Sequence, residues 1–201
     1  MATVVRPGST EDRVAVDRRQ GLIFVGAMAA VMWVSEILDA VAFNLDQYGI
    51  EPRDLEGLSG VVFAPFLHAG FGHLIGNTIP FLFLGALIAV GGLARVALVT
   101  IIIALVGGLG TWLVAPEGSI HIGASGIVFG YATYLLTRGL FSRSTWHLGV
   151  GLIVLLVYGT TLLFGLVPTP GVSWQGHFFG GVGGIIAARA IHARNRSRSA
   201  A

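Results

Sequence analysis

The chain has 201 residues, of which 54% are hydrophobic and only 11% charged, and its mean hydropathy is +0.81. Soluble domains carry roughly 25% charge, so a water-soluble globule is excluded, and so much Leu, Ile, Val and Phe excludes disorder and collagen as well. The basic balance of +2 is all arginine, and the absence of cysteine removes disulfides and thiolate chemistry, leaving a polytopic, all-α membrane protein.

Residues 1–20 are polar and read as a cytoplasmic tail. The first apolar run, Gly21 to Phe43, is interrupted in its second half by Glu36 and Asp39. No small-residue cleavage site follows it, so it is expected to stay in the mature protein as a span. The outer connection, residues 44–67, mixes acids with the apolar stretch Leu58–Leu67 and is expected to rest partly in the interface. Further spans run from Gly72 to Gly92, from Val96 to Ala115 and, shorter, from Gly123 to Thr137. Between Ser144 and Ala188 no charged residue occurs, and the prolines and glycine of Val167–Ser173 divide that stretch in two. Six spans of about 20 residues thus fall within 21–192, and 193–201 forms a second cytoplasmic tail. No internal repeat of the transporter kind is present.

Arginine placement sets the orientation. With the N-terminus inside, Arg6, Arg13, Arg18, Arg19, Arg95, Arg138, Arg143, Arg189, Arg194, Arg196 and Arg198 are all cytoplasmic, and Arg53 alone is outside. This predicts N-in, C-in. The arginines sit at the ends of apolar runs and not in a patch with stacking aromatics, so no nucleic-acid partner is expected.

Polar groups inside spans point to function by default, and four converge at one outer depth. His73 and Asn77, four apart, share a face at the start of span two. Ser125 opens span four within Gly123-Ala124-Ser125-Gly126, and His177 opens span six. A serine hydroxyl becomes a useful nucleophile when a neighbouring base takes its proton, which histidine does near neutral pH. The unpaired N–H of Ser125 at a helix start, with His73 and Asn77, would stabilise an oxyanion. No Asp or Glu occurs in spans two to six, so the set reads as a Ser–His dyad.

The run His68-Ala69-Gly70-Phe71-Gly72-His73-Leu74-Ile75-Gly76-Asn77, then Gly123-Ala124-Ser125-Gly126, then His177 with Gly180 and Gly184, resembles the rhomboid intramembrane serine proteases from about Tyr48 to Ile191. The resemblance implies a six-helix bundle in which Ser125 is the nucleophile and His177 the general base. His73, Asn77 and the Ser125 N–H would form the oxyanion hole, with Gly123 beside them. Phe129 would pack on the catalytic imidazole, and His68 would support the site. The implied substrates are transmembrane proteins, cut in or beside a membrane segment near the outer face of a bacterial plasma membrane. Span five (about His147–Leu166) and the Val167–Ser173 loop would act as gate and cap. No metal or cofactor is called for, and the oligomeric state is left open.

The Trp-Arg pair often found in the family's first outer loop is missing, since 44–67 has no tryptophan and only Arg53, which leaves the loop's anchoring open. Gly176 stands where alanine often precedes the catalytic histidine. A catalytically inactive relative that binds membrane clients would lack the serine or the histidine, and both are present. A zinc protease would need His-Glu-x-x-His, and a transporter would need acids in several spans. Gly126, Gly130, Gly180 and Gly184 are expected to serve close helix packing. His121, just outside span four, reads either as an exposed loop residue or as one that touches substrate, and His147 and His192 as bland residues of the inner side. Glu36 and Asp39 either pair within the bundle or reach the outer interface. The four tryptophans sit mainly near span ends, as interfacial belts require.

Overall fold

A computed structural model describes residues 10–199, with side chains placed through His192. The described chain is helical throughout apart from turns and one isolated bridge. Six long helices form the bundle: α1 (Thr10–Val41), α3 (Phe71–Ala89), α4 (Leu93–Val114), α5 (Ser125–Ser142), α6 (Thr145–Phe164) and α7 (Trp174–Ser199). A single turn, α2 (Gly60–Phe63), sits in the connection between α1 and α3. Four of them, α1, α3, α4 and α6, are long and apolar enough to cross a membrane.

Helix α1 starts well before the apolar run at Gly21, because the polar stretch from Thr10 onward is itself a competent helix former with acids in its first turn. Hydropathy marks only the apolar part of such a helix. α5 is the most enclosed element, burying Tyr131, Tyr134 and Leu135 completely, and α7 packs along it. Small residues make that contact possible. A Cβ on Gly180 would lie 2.1 Å from the Gly126 carbonyl oxygen, and one on Gly184 would lie 2.0 Å from that of Gly130. Backbone therefore meets backbone, as the four-residue glycine spacing anticipates. By contrast, α6 buries only Gly151 and Val154 and shows most of its apolar surface outward, Leu156 being 77% exposed.

The buried centre joins α1, α3, α4 and α5 through Met32, Phe81, Leu84, Ile103 and Tyr131. The rings of Phe81 and Tyr131 stack at 5.5 Å, and the Tyr131 hydroxyl meets the Thr100 hydroxyl at 2.5 Å. Trp33 Nε1 on α1 donates to Thr78 Oγ1 on α3 at 3.2 Å.

The 44–67 connection is anchored by partners far away in sequence. The Arg53 guanidinium donates to the carbonyls of Leu113 (3.0 Å) and Ala115 (2.8 Å) at the end of α4 and pairs with Glu117 at 2.8 Å. Trp112 Nε1 returns a bond to the Asp54 carbonyl at 2.7 Å. A tryptophan and an arginine thus fasten this loop, with the tryptophan supplied by α4. Ile50 and His121 bridge through paired backbone bonds of 2.9 and 3.0 Å, and the Asp39 carboxylate accepts the Leu45 N–H where the loop begins. Asp46, in the same turn, has its carboxyl pushed up to about 6, chiefly by burial and then by Asp39 and Glu36. Leu55 and Val62 remain exposed.

Candidate active site

Helix α3 starts after Gly70, whose φ of 95° admits the turn only glycine adopts readily. One turn in, His73 and Asn77 lie one above the other, with Asn77 Nδ2 donating to the His73 carbonyl at 3.1 Å. Pro80, one turn further on, withholds an N–H from the Gly76 carbonyl and lines a cavity together with His73 and Asn77. At the start of α5, Gly123 has a φ of 111°. A Cβ there would lie 2.9 Å from His73 Nε2 and 3.6 Å from Asn77 Nδ2, so the space beside Gly123 is where both side chains point. Ser125 is the first residue of α5, and first-turn N–H groups have no intrahelical acceptor.

His177 lies one turn into α7 and is 8% exposed. Gly126, next to Ser125, and Gly176, next to His177, are in contact, since a Cβ on Gly126 would lie 3.1 Å from the Gly176 oxygen. The tight α5–α7 packing thus brings the two side chains into one cavity of about 1090 Å³, which His73, Asn77 and Phe129 also line. Phe129 lies flat on the imidazole of His177, with centroids 4.1 Å apart and planes at 5°. Among the described residues, no Asp or Glu lines the cavity.

Hydrogen bonding fixes the tautomers. His177 Nδ1 meets the Gly165 carbonyl oxygen at 2.7 Å. A carbonyl only accepts, so Nδ1 carries the proton and the lone pair resides on Nε2. His73 is the opposite: Nδ1 accepts the Ala69 N–H at 3.3 Å, which leaves Nε2–H as a donor towards Gly123. One imidazole is set to take a proton and the other to give a hydrogen bond.

His68 lies outside the cavity lining and is 1% exposed. Its Nε2 accepts the Ala124 N–H at 3.4 Å, next to Ser125, and its ring meets that of His73 edge-on at 5.1 Å. Burial first, and then His73, lowers its pKa to about 4, so it is neutral at neutral pH. It braces the loop that presents Ser125.

Two features were not visible in the sequence. Gly165, at the end of α6, supplies the carbonyl that holds His177, and a side chain there would collide with Phe129. His121 is half-buried and not an exposed loop residue, because the bridge to Ile50 draws it inward. It lines the cavity and joins two loops. Ser119 Oγ donates to the Pro116 carbonyl and so accepts from His121 Nε2 at 2.9 Å. His121 Nδ1 then accepts from Ser173 Oγ at 2.7 Å, and Ser173 in turn caps the Gly176 N–H at 3.3 Å. Burial lowers the His121 pKa, in keeping with this neutral form. Polar spacing within one helix gives no hint of a contact across 52 residues. Glu36 is buried in α1 beside Asp39, away from the cavity lining. Among the described residues, no group of three or more His, Asp or Glu side chains is arranged to hold a metal ion.

A family model described as the Rhomboid domain matches residues 55–194. An uncharacterized protein of Mycobacterium tuberculosis (strain ATCC 25618 / H37Rv) is 46% identical over 181 residues, which cover 85% of this chain and 75% of that protein. An uncharacterized protein of Mycobacterium leprae (strain TN) is 40% identical over 190 residues, 90% of this chain and 75% of that one. A Bacillus subtilis (strain 168) protein named "Putative rhomboid protease" is 29% identical over 168 residues, 81% of this chain and 84% of its own length.

Proposed function

The chain belongs to the rhomboid family, and we propose that it is an intramembrane serine endopeptidase that cuts other membrane proteins in or beside a transmembrane segment. The observation that carries this reading is the tautomer of His177, whose Nδ1–H is committed to the Gly165 carbonyl. Its basic Nε2 is thereby left in the cavity that Ser125 also lines. The backbone carbonyl does the orienting that a carboxylate would do in a triad.

In this mechanism His177 Nε2 takes the Ser125 hydroxyl proton as Oγ attacks the scissile carbonyl carbon, and the C=O electron pair moves onto oxygen. His73 Nε2–H, Asn77 Nδ2–H and the Ser125 N–H hold that oxyanion. The imidazolium gives its proton to the amide nitrogen as the C–N bond breaks, leaving an acyl-serine and a free amine. Water then attacks the ester, again with His177 as base, and releases the carboxyl product and Ser125. Phe129 and the Gly165 carbonyl keep the ring in place through both proton transfers.

A helical substrate must unwind locally before its amide reaches Ser125, so segments with helix-weakening residues are preferred. The sparse packing of α6 and the Val167–Ser173 loop along the cavity support lateral access between α6 and the bundle. We further propose six spans with both termini on the arginine-rich cytoplasmic side of a bacterial plasma membrane. The cavity then opens to the extracytoplasmic side.

Cleavage of a single-span reporter by the purified protein in lipid vesicles tests the reading. Wild type should cut, and Ser125→Ala and His177→Ala should not. An uncut reporter in every lane, with folded protein, would favour an inactive client-binding relative.

A further inference from the structure

At the end of the bundle away from the cavity, about 20 Å along α5 from Ser125, four helices bring cations together. Arg138 of α5 is 6% exposed and its Nε has no hydrogen-bond partner. His192 of α7 is likewise 6% exposed, with Nε2 unpartnered. Arg95 of α4 and His147 of α6 lie within electrostatic range of both. The His147 and His192 rings are 6.0 Å apart, and the buried Tyr134 lies against both guanidinium groups.

Among the described residues no Asp or Glu carboxylate lies within 4 Å of these cations. Among the described residues the one ion pair within 4 Å is Arg53–Glu117, in the loop at the other end. The sequence places only Glu11, Asp12 and Asp17 near this end, all on α1, and the Asp17 carboxylate accepts the Leu93 N–H at 3.0 Å. Residues 1–9 and 193–201 contain no Asp or Glu. A buried guanidinium without a counter-anion is costly, and its planar fork suits a phosphate. Trp146, next to His147, is 76% exposed, as a ring at headgroup level would be.

We propose that Arg95, Arg138, His147 and His192 form a binding site for a phosphate-bearing anion, supplied by the headgroup of an anionic phospholipid. This site is independent of the proteolytic reading. Bound there, the headgroup ties the base of α6, which otherwise packs chiefly on α5, to α4 and α7.

Native mass spectrometry of the whole protein from mixed phosphatidylglycerol and phosphatidylcholine micelles tests it. Wild type should retain one phosphatidylglycerol in preference to phosphatidylcholine. Arg95→Gln and His147→Gln, at the rim of the cluster and not in its buried centre, should each weaken that preference about tenfold. Arg13→Gln, on the exposed start of α1, should leave it unchanged. Millimolar inorganic phosphate separates the two sources of the anion. A melting temperature raised by phosphate alone in wild type but not in Arg95→Gln, with no phosphatidylglycerol preference, would keep the anion site and overturn the lipid assignment. Equal retention of both lipids with no stabilisation by phosphate would overturn the site itself.

Discussion

Gly165→Ala should damage catalysis while leaving the fold intact. The φ of Gly165 is −68°, which alanine adopts without strain, and its N–H continues the helix to Thr161 at 2.9 Å. Replacing glycine by alanine at such a position favours the helix by up to about 1 kcal/mol. The new Cβ, however, would lie 2.3 Å from Phe129 Cζ and 3.1 Å from His177 Nδ1. Phe129 must retreat by about 1 Å to reach ordinary contact, and its ring lies flat on the imidazole. Losing that stack costs about 0.5–1.5 kcal/mol, and misaligning the Nδ1–H bond costs about another 0.5–1.5 kcal/mol. Together they give a loss of roughly 5- to 150-fold in kcat, with KM little changed because no substrate contact is removed. Steady-state cleavage of a reporter, alongside thermal unfolding in the same micelles, measures both effects. A variant within twofold of wild type in kcat would refute the idea that the Gly165 carbonyl and Phe129 together position the base.

Other outcomes follow from the same geometry. His73→Ala and Asn77→Ala should each lower kcat about 100-fold or more through loss of an oxyanion donor, measured by single-turnover cleavage. The lowered pKa of His68 means that the folded protein favours its neutral form. That contribution to stability is present above the ordinary value near 6.5 and is lost as pH falls towards about 4. A plot of melting temperature against pH should show the loss, and His68→Gln should flatten it. Asp46 has the opposite sign: its raised pKa stabilises the loop below about 4, and the benefit disappears as pH rises through about 6. Asp46→Asn should therefore stabilise at neutral pH, by less than about 1 kcal/mol at this half-exposed position, read from denaturant unfolding. Gly180→Val should prevent a stable fold, because its Cβ meets a backbone oxygen that cannot move aside; a loss of more than about 3 kcal/mol is expected by the same method.

The six helices and the polar cluster were legible because both are local signals. Long apolar runs mark helices, four of them apolar enough to cross a membrane, and His73 and Asn77 at four-residue spacing mark one helix face. The glycine pairs of α5 and α7 were readable for the same reason. Gly165 was not, since its contribution is a backbone carbonyl that any residue type possesses. Nor was the anchoring of the 44–67 loop, where Arg53 meets the end of α4 some 60 residues away. The start of α1 at Thr10 escaped because a polar helix carries no hydropathy signal, and the half-burial of His121 escaped because it comes from a backbone bridge to the distant Ile50. The gathering of Arg95, Arg138, His147 and His192 becomes visible only once four helices are packed together.

Activation of Ser125 by His177 is tested most directly by labelling with a serine-directed fluorophosphonate followed by peptide mapping. One adduct on Ser125 in wild type is expected, absent in Ser125→Ala and strongly slowed in a folded His177→Ala variant. An adduct on another residue, or labelling of Ser125 at an unchanged rate without His177, would contradict it.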